Sequence, residues 1–241
     1  MKLLESFIRS KRQQLERDLL DSNRRWYFSP AAYSQYQITR PLIEKFARGR
    51  LIDLGCGDMP FRVFVAPHVR CYESLDFFPR RPDVTYVSDI QNMEIVQDST
   101  YDTALCIEVL EHVPDPARAL KEISRILKPD GQVVISVPHL SRLHDEPHDY
   151  YRYTEYGLRY LLNQAGLEIV ILNKRGGIFS FVGHQLSTFL LGISWGVPLL
   201  QSVCWHLNKW LVTLFCWQLD RWLDPFGRFA LGYSLVARKV A

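Results

Sequence analysis

The chain lacks most of the features that would set it apart from an ordinary folded globular protein. Its five cysteines, Cys56, Cys71, Cys106, Cys204 and Cys216, are odd in number and show no CxxC or CxxH spacing. That pattern builds neither a disulfide framework nor a zinc site, and it predicts reduced thiols in a cytoplasmic protein. Net charge is only +3, so no global field argues for nucleic acid, and no nucleic-acid partner is expected. The first twenty residues hold no apolar run long enough for a secretory signal. Internal repeats and low-complexity tracts are also missing. What remains is a chain of 241 residues, 47% apolar and 23% charged, sufficient for one α/β domain with a substantial core plus an appendage.

Charge is uneven even though its sum is small. Lys2, Arg9, Lys11, Arg12, Arg17, Arg24, Arg25, Arg40, Lys45, Arg48 and Arg50 crowd the first fifty residues, either as a solvated helical face or as a patch facing anionic lipid or substrate. Leu3, Leu4, Phe7, Ile8, Leu15, Leu19 and Leu20 fall roughly on one face, so residues 1–48 are expected to form a helical extension that ends before Gly49. The rhythm then changes. Strands are expected near 50–54, 70–75, 84–87, 101–107, 131–137 and 167–172, with helices near 60–66, 91–96, 115–127 and 154–165. Strands separated by helices make a mostly parallel sheet covered on both faces. Asp115 before Pro116 reads as a helix N-cap with proline at the first helical position, and Pro129 with Gly131 ends that helix and launches the next strand. The expected layout is a core at 49–175, an apolar helical insertion at 176–227, and a final strand at 228–241.

The insertion stands apart. Between Gly176 and Leu219 the only Lys, Arg, Asp or Glu is Lys209, and Trp195, Trp205, Trp210 and Trp217 all fall there. Three readings stand: helices folded as extra core, helices lying in a membrane interface with tryptophans at headgroup depth, or a spanning segment such as Ile178 to Leu200. The interfacial reading implies peripheral membrane contact through 176–224 at the inner face of the membrane, with the basic N-terminal segment complementing an anionic leaflet.

The sharpest motif is Leu51-Ile52-Asp53-Leu54-Gly55-Cys56-Gly57-Asp58. An apolar strand ends in an acid, and two glycines one residue apart let the backbone turn sharply and approach a ligand. Asp76 ends the second strand about twenty residues later, where a carboxylate can accept from both hydroxyls of a ribose. Asp89 follows the third strand, placed for an exocyclic amine, with Ile90 beside a ring. Glu108 caps the fourth strand. Acids at four successive strand ends suit a cationic cofactor that bears a ribose better than a pyrophosphate.

DLGCG, Asp76, the Ser88-Asp89-Ile90 corner, Val109-Leu110-Glu111-His112-Val113 and Arg125-Ile126-Leu127-Lys128-Pro129-Asp130-Gly131 together resemble the class I S-adenosylmethionine-dependent methyltransferases. The resemblance covers about 120 residues with its motifs in order, and the loop after the fifth strand with Tyr151-Arg152-Tyr153-Thr154 resembles a branch of these methyltransferases seen with bacterial glycan and lipid pathways. The family resemblance implies a Rossmann-like doubly wound sheet with a final antiparallel strand, and S-adenosyl-L-methionine as cofactor. By the same resemblance Asp53, Gly55 and Gly57, with Cys56 between them, hold the methionine end. Asp76 and the adjoining Phe77 fall at the ribose, Asp89 and Ile90 at the adenine, and Glu108 near the reacting methyl. The sequence departs from the pattern at Asp58-Met59 and at Asp130, where small residues are common.

After the fifth strand a loop from Pro138 to Thr154 is crowded with His, Asp, Arg and Tyr. Methyl transfer needs an aligned acceptor and often a base. His144 or His148 is the expected base, with Asp145 or Asp149 orienting it; the plainer reading is a hydrogen-bonded lid with Asp149 and Arg152 paired. His139, His144, Asp145, Glu146 and His148 carry ligand atoms but match no HxxxH or HExxH spacing, so no metal is expected. The expected acceptor is a small molecule, a glycan or a lipid-linked compound. Aminopropyl transfer on the same fold, and a membrane-associated scaffold with a vestigial pocket, remain as alternatives.

Overall fold

A computed structural model describes residues 10–11, 14–15, 17–19, 22–224 and 226–240. Leu3, Leu4, Phe7, Ile8 and Leu20 of the expected N-terminal stripe lie outside these, as do Lys2, Arg9 and Arg12. The described residues before Ser22 are helical, a short 3-10 turn follows at Asn23–Tyr27, and α1 runs Pro30–Phe46.

β1 (Arg50–Leu54) opens the sheet and is followed by α2 (Arg62–Val65), β2 (Cys71–Asp76), β3 (Tyr86–Val87) and β4 (Tyr101–Ile107). Then come α3 (Pro116–Ile126), β5 (Leu127–Pro138), α4 (Glu155–Gln164) and β6 (Leu167–Arg175). α5 (Ile178–Ser194), α6 (Pro198–Leu207), a π-helical stretch at Asn208–Leu214 and α7 (Phe215–Leu223) precede β7 (Gly232–Lys239). The seven strands form one sheet in the order β3-β2-β1-β4-β5-β7-β6. β1 pairs in parallel with β2 and β4, and β5 with β4, whereas β7 runs antiparallel to β5. This is the Rossmann-like methyltransferase arrangement, with the final antiparallel strand expected from the sequence.

Local chemistry explains the best-formed elements. Leu51, Ile52 and Leu54 are fully buried, as a central parallel strand covered on both faces requires. The Asp115 carboxylate accepts the Arg118 N–H at 3.0 Å, Pro116 occupies the first turn, and Ala119, Leu120, Ile123 and Ile126 give α3 its buried stripe. The Thr154 hydroxyl caps α4 through the Gly157 N–H.

The helix expected at 91–96 does not form; the segment is a run of turns. Its apolar residues Met93 and Val96 are buried, which gives the segment a helix-like spacing. Its backbone groups, however, are satisfied from outside. The Arg125 guanidinium donates to the carbonyls of Met93 and Val96, each at 2.9 Å, and Glu122 accepts the Met93 N–H at 2.7 Å. Side chains of α3 have replaced the intrahelical ladder.

The chain divides into two compact units. One holds Ile38–Lys174 and the chain from Gly232 onward, and includes the whole strand framework except the end of β6. The other joins the residues up to Gln37 to Arg175–Leu231. Its core contains Leu15, Leu19, Leu191, Trp195 and Trp205, with the Trp195 indole donating to Asp18 at 2.9 Å. Part of the apolar insertion is therefore core. The spanning reading is not met: among the described residues no helix is long and apolar enough to cross a membrane, and Gly196, at φ +90°, and Pro198 divide Ile178–Leu200 between two helices.

Candidate active site

Parallel pairing aligns the carboxyl ends of β2, β1 and β4, bringing Asp76, Asp53 and the Gly55–Gly57 turn, and Glu108 to one edge of the sheet. Both glycines have left-handed φ, +63° and +52°. A Cβ on Gly55 would lie 2.5 Å from the Val109 side chain, whereas one on Gly57 would meet nothing within 4 Å. Gly55 is thus required by packing, and Gly57 leaves open space in which a ligand can approach the backbone. Asp76 binds the turn to the end of β2: its carboxylate accepts the N–H of Gly57 and that of Phe78, both at 2.8 Å.

Asp53 is buried and accepts the Tyr72 hydroxyl at 2.7 Å. Burial is the main influence and pushes its carboxyl up to about 7; the Tyr72 bond opposes this, and the neighbouring Asp76 and Asp58 add to it. Cys56 is buried beside it, its thiol pushed up to about 12 by burial and then by the charges of Asp53 and Asp76, so it is a neutral packing group. A cluster of three carboxyls, Asp53, Asp58 and Asp76, one of them hard to ionise, suits a cationic ligand, and the open space at Gly57 gives room for it. The residues therefore fit the cofactor implied by the sequence.

Phe77 is exposed and packs edge-on against Phe78. Ile90 is buried. Asp89 accepts the Gln91 N–H at 2.8 Å, forming a local turn, and the Gln91 amide reaches both Asp89 oxygens at 3.0 and 3.1 Å. The Gln91 side-chain carbonyl oxygen accepts the Asp115 N–H at 2.9 Å, so Gln91 holds Asp89 in place, a role that sequence reasoning missed. Glu108 has φ +55°, a left-handed conformation unusual for a side chain with a Cβ. Its carboxylate accepts the Ser136 hydroxyl at 2.7 Å, and its N–H donates to the Ser136 carbonyl at 2.8 Å. Neither Ser136 nor Tyr72 carries a motif signal; only strand register reveals them.

On the loop after β5, the structure brings together some of the candidates and separates others. Asp149 is gripped by a bidentate Arg152 fork at 2.6 and 2.7 Å, and also accepts the His144 N–H at 2.9 Å. These contacts hold its carboxyl down, to about 2, against burial, which acts in the opposite direction. The lid pairing of Asp149 with Arg152 is therefore present. His144 Nδ1 lies 3.5 Å from Asp149, and burial lowers the pKa of its imidazole, as does His112, keeping it neutral. His148 is exposed, with Nδ1 3.0 Å from the Tyr150 hydroxyl, and is not part of that cluster. Asp145 orients neither expected base; it faces His112 Nε2 at 4.0 Å. Two residues of the loop after β4 join the cluster instead. Glu111 is fully buried, its backbone carbonyl accepting from Tyr150 and Tyr151, and its carboxylate lies 3.7 Å from His112 Nε2 and 3.9 Å from His144 Nε2.

Comparison with known proteins identifies the domain. The family model described as a methyltransferase domain matches residues 28–176, more than half of the chain. A ubiquinone biosynthesis O-methyltransferase of Xanthomonas oryzae pv. oryzae is 28% identical over 103 residues, covering 37% of this chain and 43% of that protein. One from Neisseria meningitidis is 29% identical over 102 residues, with 36% and 43% covered. The matches thus span less than half the length of these curated relatives. Among solved structures, an S-adenosylmethionine-dependent methyltransferase from Mesorhizobium loti superposes with a TM-score of 0.54 at 14% identity, covering 86% of this chain and 98% of that one; at that identity the likeness concerns the fold.

Proposed function

The chain belongs to the methyltransferase-domain family, of the class I S-adenosylmethionine-dependent kind, and on that footing we propose that it methylates a small-molecule or lipid-linked acceptor. The observation that carries this reading is the row of strand ends itself: Asp53, the open Gly57 turn, Asp76, Asp89 and Glu108 on consecutive β-α loops of one sheet edge. When bound, the cofactor supplies an electrophilic methyl group on a sulfonium. The chain's own residues hold and align. Asp76 accepts from ribose hydroxyls, Asp89 from the adenine amine, Phe77 and Ile90 flank the base and ribose, and Asp53 with Gly55, Cys56 and Gly57 cradles the charged amino-acid end. Glu108, fixed by Ser136, adds negative charge near the methyl-bearing atom.

His144 is the base we assign where the acceptor carries a proton, with Asp149 orienting it and Arg152 fixing Asp149. His148 is a weaker candidate because it stands in solvent with Tyr150. The test is transfer of labelled methyl from S-adenosylmethionine to lipid and glycan extracts, with S-adenosylhomocysteine binding measured in parallel. Transfer to any fraction supports the reading. Binding without transfer favours the vestigial scaffold, and transfer of an aminopropyl group from the decarboxylated cofactor favours the other chemistry of this fold.

A lipid-linked acceptor is favoured by how the second unit distributes polarity. α5 buries Ser180, Gly183, His184, Ser187 and Ser194, with Leu191 the one large apolar side chain among its buried residues, while exposing Val182, Leu186, Phe189 and Ile193. α6 exposes Leu199, Leu200, Val203 and Leu207. Inward-facing Asn208, Thr213 and Asp220 are hydrogen-bonded: the Asn208 amide nitrogen and the Thr213 hydroxyl donate to the Phe28 and Tyr27 carbonyls, and Asp220 accepts the N–H groups of Gly177, Phe179 and Ser180 at the start of α5. Helices in water place their apolar stripe inward. Polar groups inside with apolar groups outside is the pattern of helices in contact with lipid. Among the described residues of this unit, eight Lys and Arg stand against three Asp, and all three Asp accept hydrogen bonds within the unit. The reading is monotopic docking on an anionic bilayer.

A further inference from the structure

Glu111, His112 and His144 place three ligand atoms within 4.8 Å of one another, on the loop after β4 and the loop after β5. We propose that they form a binding site for a divalent first-row transition-metal cation of the Zn2+ or Co2+ type, adjoining the methyl-transfer site.

The argument rests on where the imidazole protons must be. His112 Nδ1 lies 2.6 Å from the His148 carbonyl oxygen. A carbonyl can only accept, so Nδ1 carries a proton, and in the neutral ring Nε2 presents a lone pair. His144 Nδ1 faces the Arg142 carbonyl at 3.3 Å and the Asp149 carboxylate at 3.5 Å. The Arg152 Nη2 group is also near, but its two protons go to Arg142 O and Asp149 Oδ2, both at 2.7 Å. His144 Nδ1 is thus the donor, and its Nε2 is a second lone pair. Both Nε2 atoms face Glu111 Oε1, at 3.7 and 3.9 Å, too far for hydrogen bonds. Two imidazole nitrogens and a fully buried carboxylate thus converge, the donor set of a divalent-cation site. The carbonyl and carboxylate holding the two Nδ1 protons are the outer-shell partners that orient metal-binding imidazoles.

The dimensions fit. Tetrahedral zinc with bonds of about 2.0–2.1 Å has ligand–ligand edges of roughly 3.4 Å, so the Glu111 edges need to close by a few tenths of an ångström, and the His112–His144 edge, within 4.8 Å, by about an ångström or more through side-chain rotation. Two histidines and one carboxylate leave a position open. Asp145 Oδ2, exposed and 4.0 Å from His112 Nε2, or an acceptor oxygen can take it. Helical HxxxH and HExxH spacings miss this set because adjacent residues of one loop meet a histidine thirty-two positions later.

The site deepens the methyl-transfer reading and rests on it for its consequence. With a cation on its Nε2, His144 cannot also accept a proton, so the base role assigned to it holds only for the metal-free site and the cation replaces it where bound. An acceptor hydroxyl bound at the open position is acidified by the cation and releases its proton to water, leaving the oxygen as the nucleophile. The substrate class this selects is an acceptor with an oxygen donor beside or at the methylated atom.

The experiment uses the full chain after chelator treatment and desalting, titrated with Zn2+ by calorimetry and with Co2+ by visible absorption. One equivalent is expected, with the spectrum of a nitrogen- and oxygen-ligated ion. His112→Ala and His144→Ala should each weaken binding by more than the roughly 10–100-fold that outer-shell changes cost, while the exposed His68→Ala leaves it unchanged. Because Glu111 is buried, Glu111→Gln is read only where its melting transition matches the parent. No stoichiometric binding, or equal binding in the His112, His144 and His68 variants, overturns the site. S-adenosylhomocysteine thermal shifts on the same samples keep the two readings separate: a shift without metal binding defeats the metal site alone, and no shift in folded protein defeats methyl transfer.

Discussion

Tyr72 donates its hydroxyl to Asp53 at 2.7 Å, and this bond opposes the burial that pushes the Asp53 carboxyl up to about 7. A raised carboxyl favours the folded state below the unfolded value near 3.8. That stability is lost as pH climbs through the folded value near 7, since the unfolded chain then releases a proton that the fold retains. A bound cation reverses the preference. Affinity for the cationic cofactor should therefore rise with pH up to about 7 and then level, falling by up to about tenfold for each unit of acidification below it. Calorimetry in two buffers of different ionisation enthalpy counts the proton released. Asp53→Asn should abolish the dependence, and Tyr72→Phe should move it upward because a lowering contact is gone. A pH-independent affinity in the parent would show that Asp53 does not meet the charged end.

Asp76 combines two tasks that variants can separate. One carboxylate latches the Gly57 turn and the Phe78 N–H while keeping lone pairs for a ribose. Asp76→Asn retains one acceptor oxygen and should cost less than 1 kcal/mol in the free protein, within the ordinary worth of a hydrogen bond. Its S-adenosylhomocysteine affinity should fall about 10–100-fold. In a thermal-shift assay the parent at a hundredfold excess over Kd gains about 2.7 kcal/mol, and at the same concentration the variant should gain about 1.4 kcal/mol after a tenfold loss of affinity and about 0.4 kcal/mol after a hundredfold loss. An unchanged shift would move the ribose elsewhere.

Sequence was most informative where one local rule decides the outcome. The strand-glycine turn, the Asp115-Pro116 helix start and the parallel alternation need no distant contact to be recognised, and the sheet follows them closely. The 91–96 segment shows the limit: its apolar spacing is helical, yet Arg125 and Glu122 claim its backbone groups, and no local pattern reports that competition. Tyr72, Gln91 and Ser136 were invisible for a related reason, since each acts through a partner set by register or by a turn. The lid chemistry was legible in composition and not in pairing; Asp149 holds His144, while Asp145 turns toward His112.

The Asp149–Arg152 pair offers a third test, of positioning as distinct from binding. Arg152 also donates to the Ser141 and Arg142 carbonyls at 3.2 and 2.7 Å, so one guanidinium ties both ends of the loop that carries His144. Asp149→Asn removes the bidentate partner without removing volume. The loop should loosen by an amount that misaligns the acceptor, with kcat down about a hundredfold, while S-adenosylhomocysteine affinity stays within twofold of the parent. Equal losses in both quantities would assign Asp149 to the cofactor site, and no loss in either would make the lid pairing dispensable.

The inverted polarity of α5 gives the fourth prediction. Val182, Leu186, Phe189 and Ile193 recur at helical spacing on its exposed face, so their replacement removes no core contact. Each apolar side chain transferred from water is worth about 1.5–3 kcal/mol, and Leu186→Glu with Phe189→Glu should lower partition onto phosphatidylglycerol vesicles by more than a hundredfold. Melting behaviour should be unchanged or improved. Added salt should weaken flotation of the parent only in part, because the basic residues are screened while the apolar face is not. The competing occupant is a second copy of the chain. If the parent is a dimer that ignores vesicles, and the double variant is a monomer, the face is a protein interface and the lipid reading fails. If the parent is monomeric and floats while the variant does not, the acceptor is to be sought among lipid-linked compounds, because an enzyme held at the bilayer meets those at high local concentration.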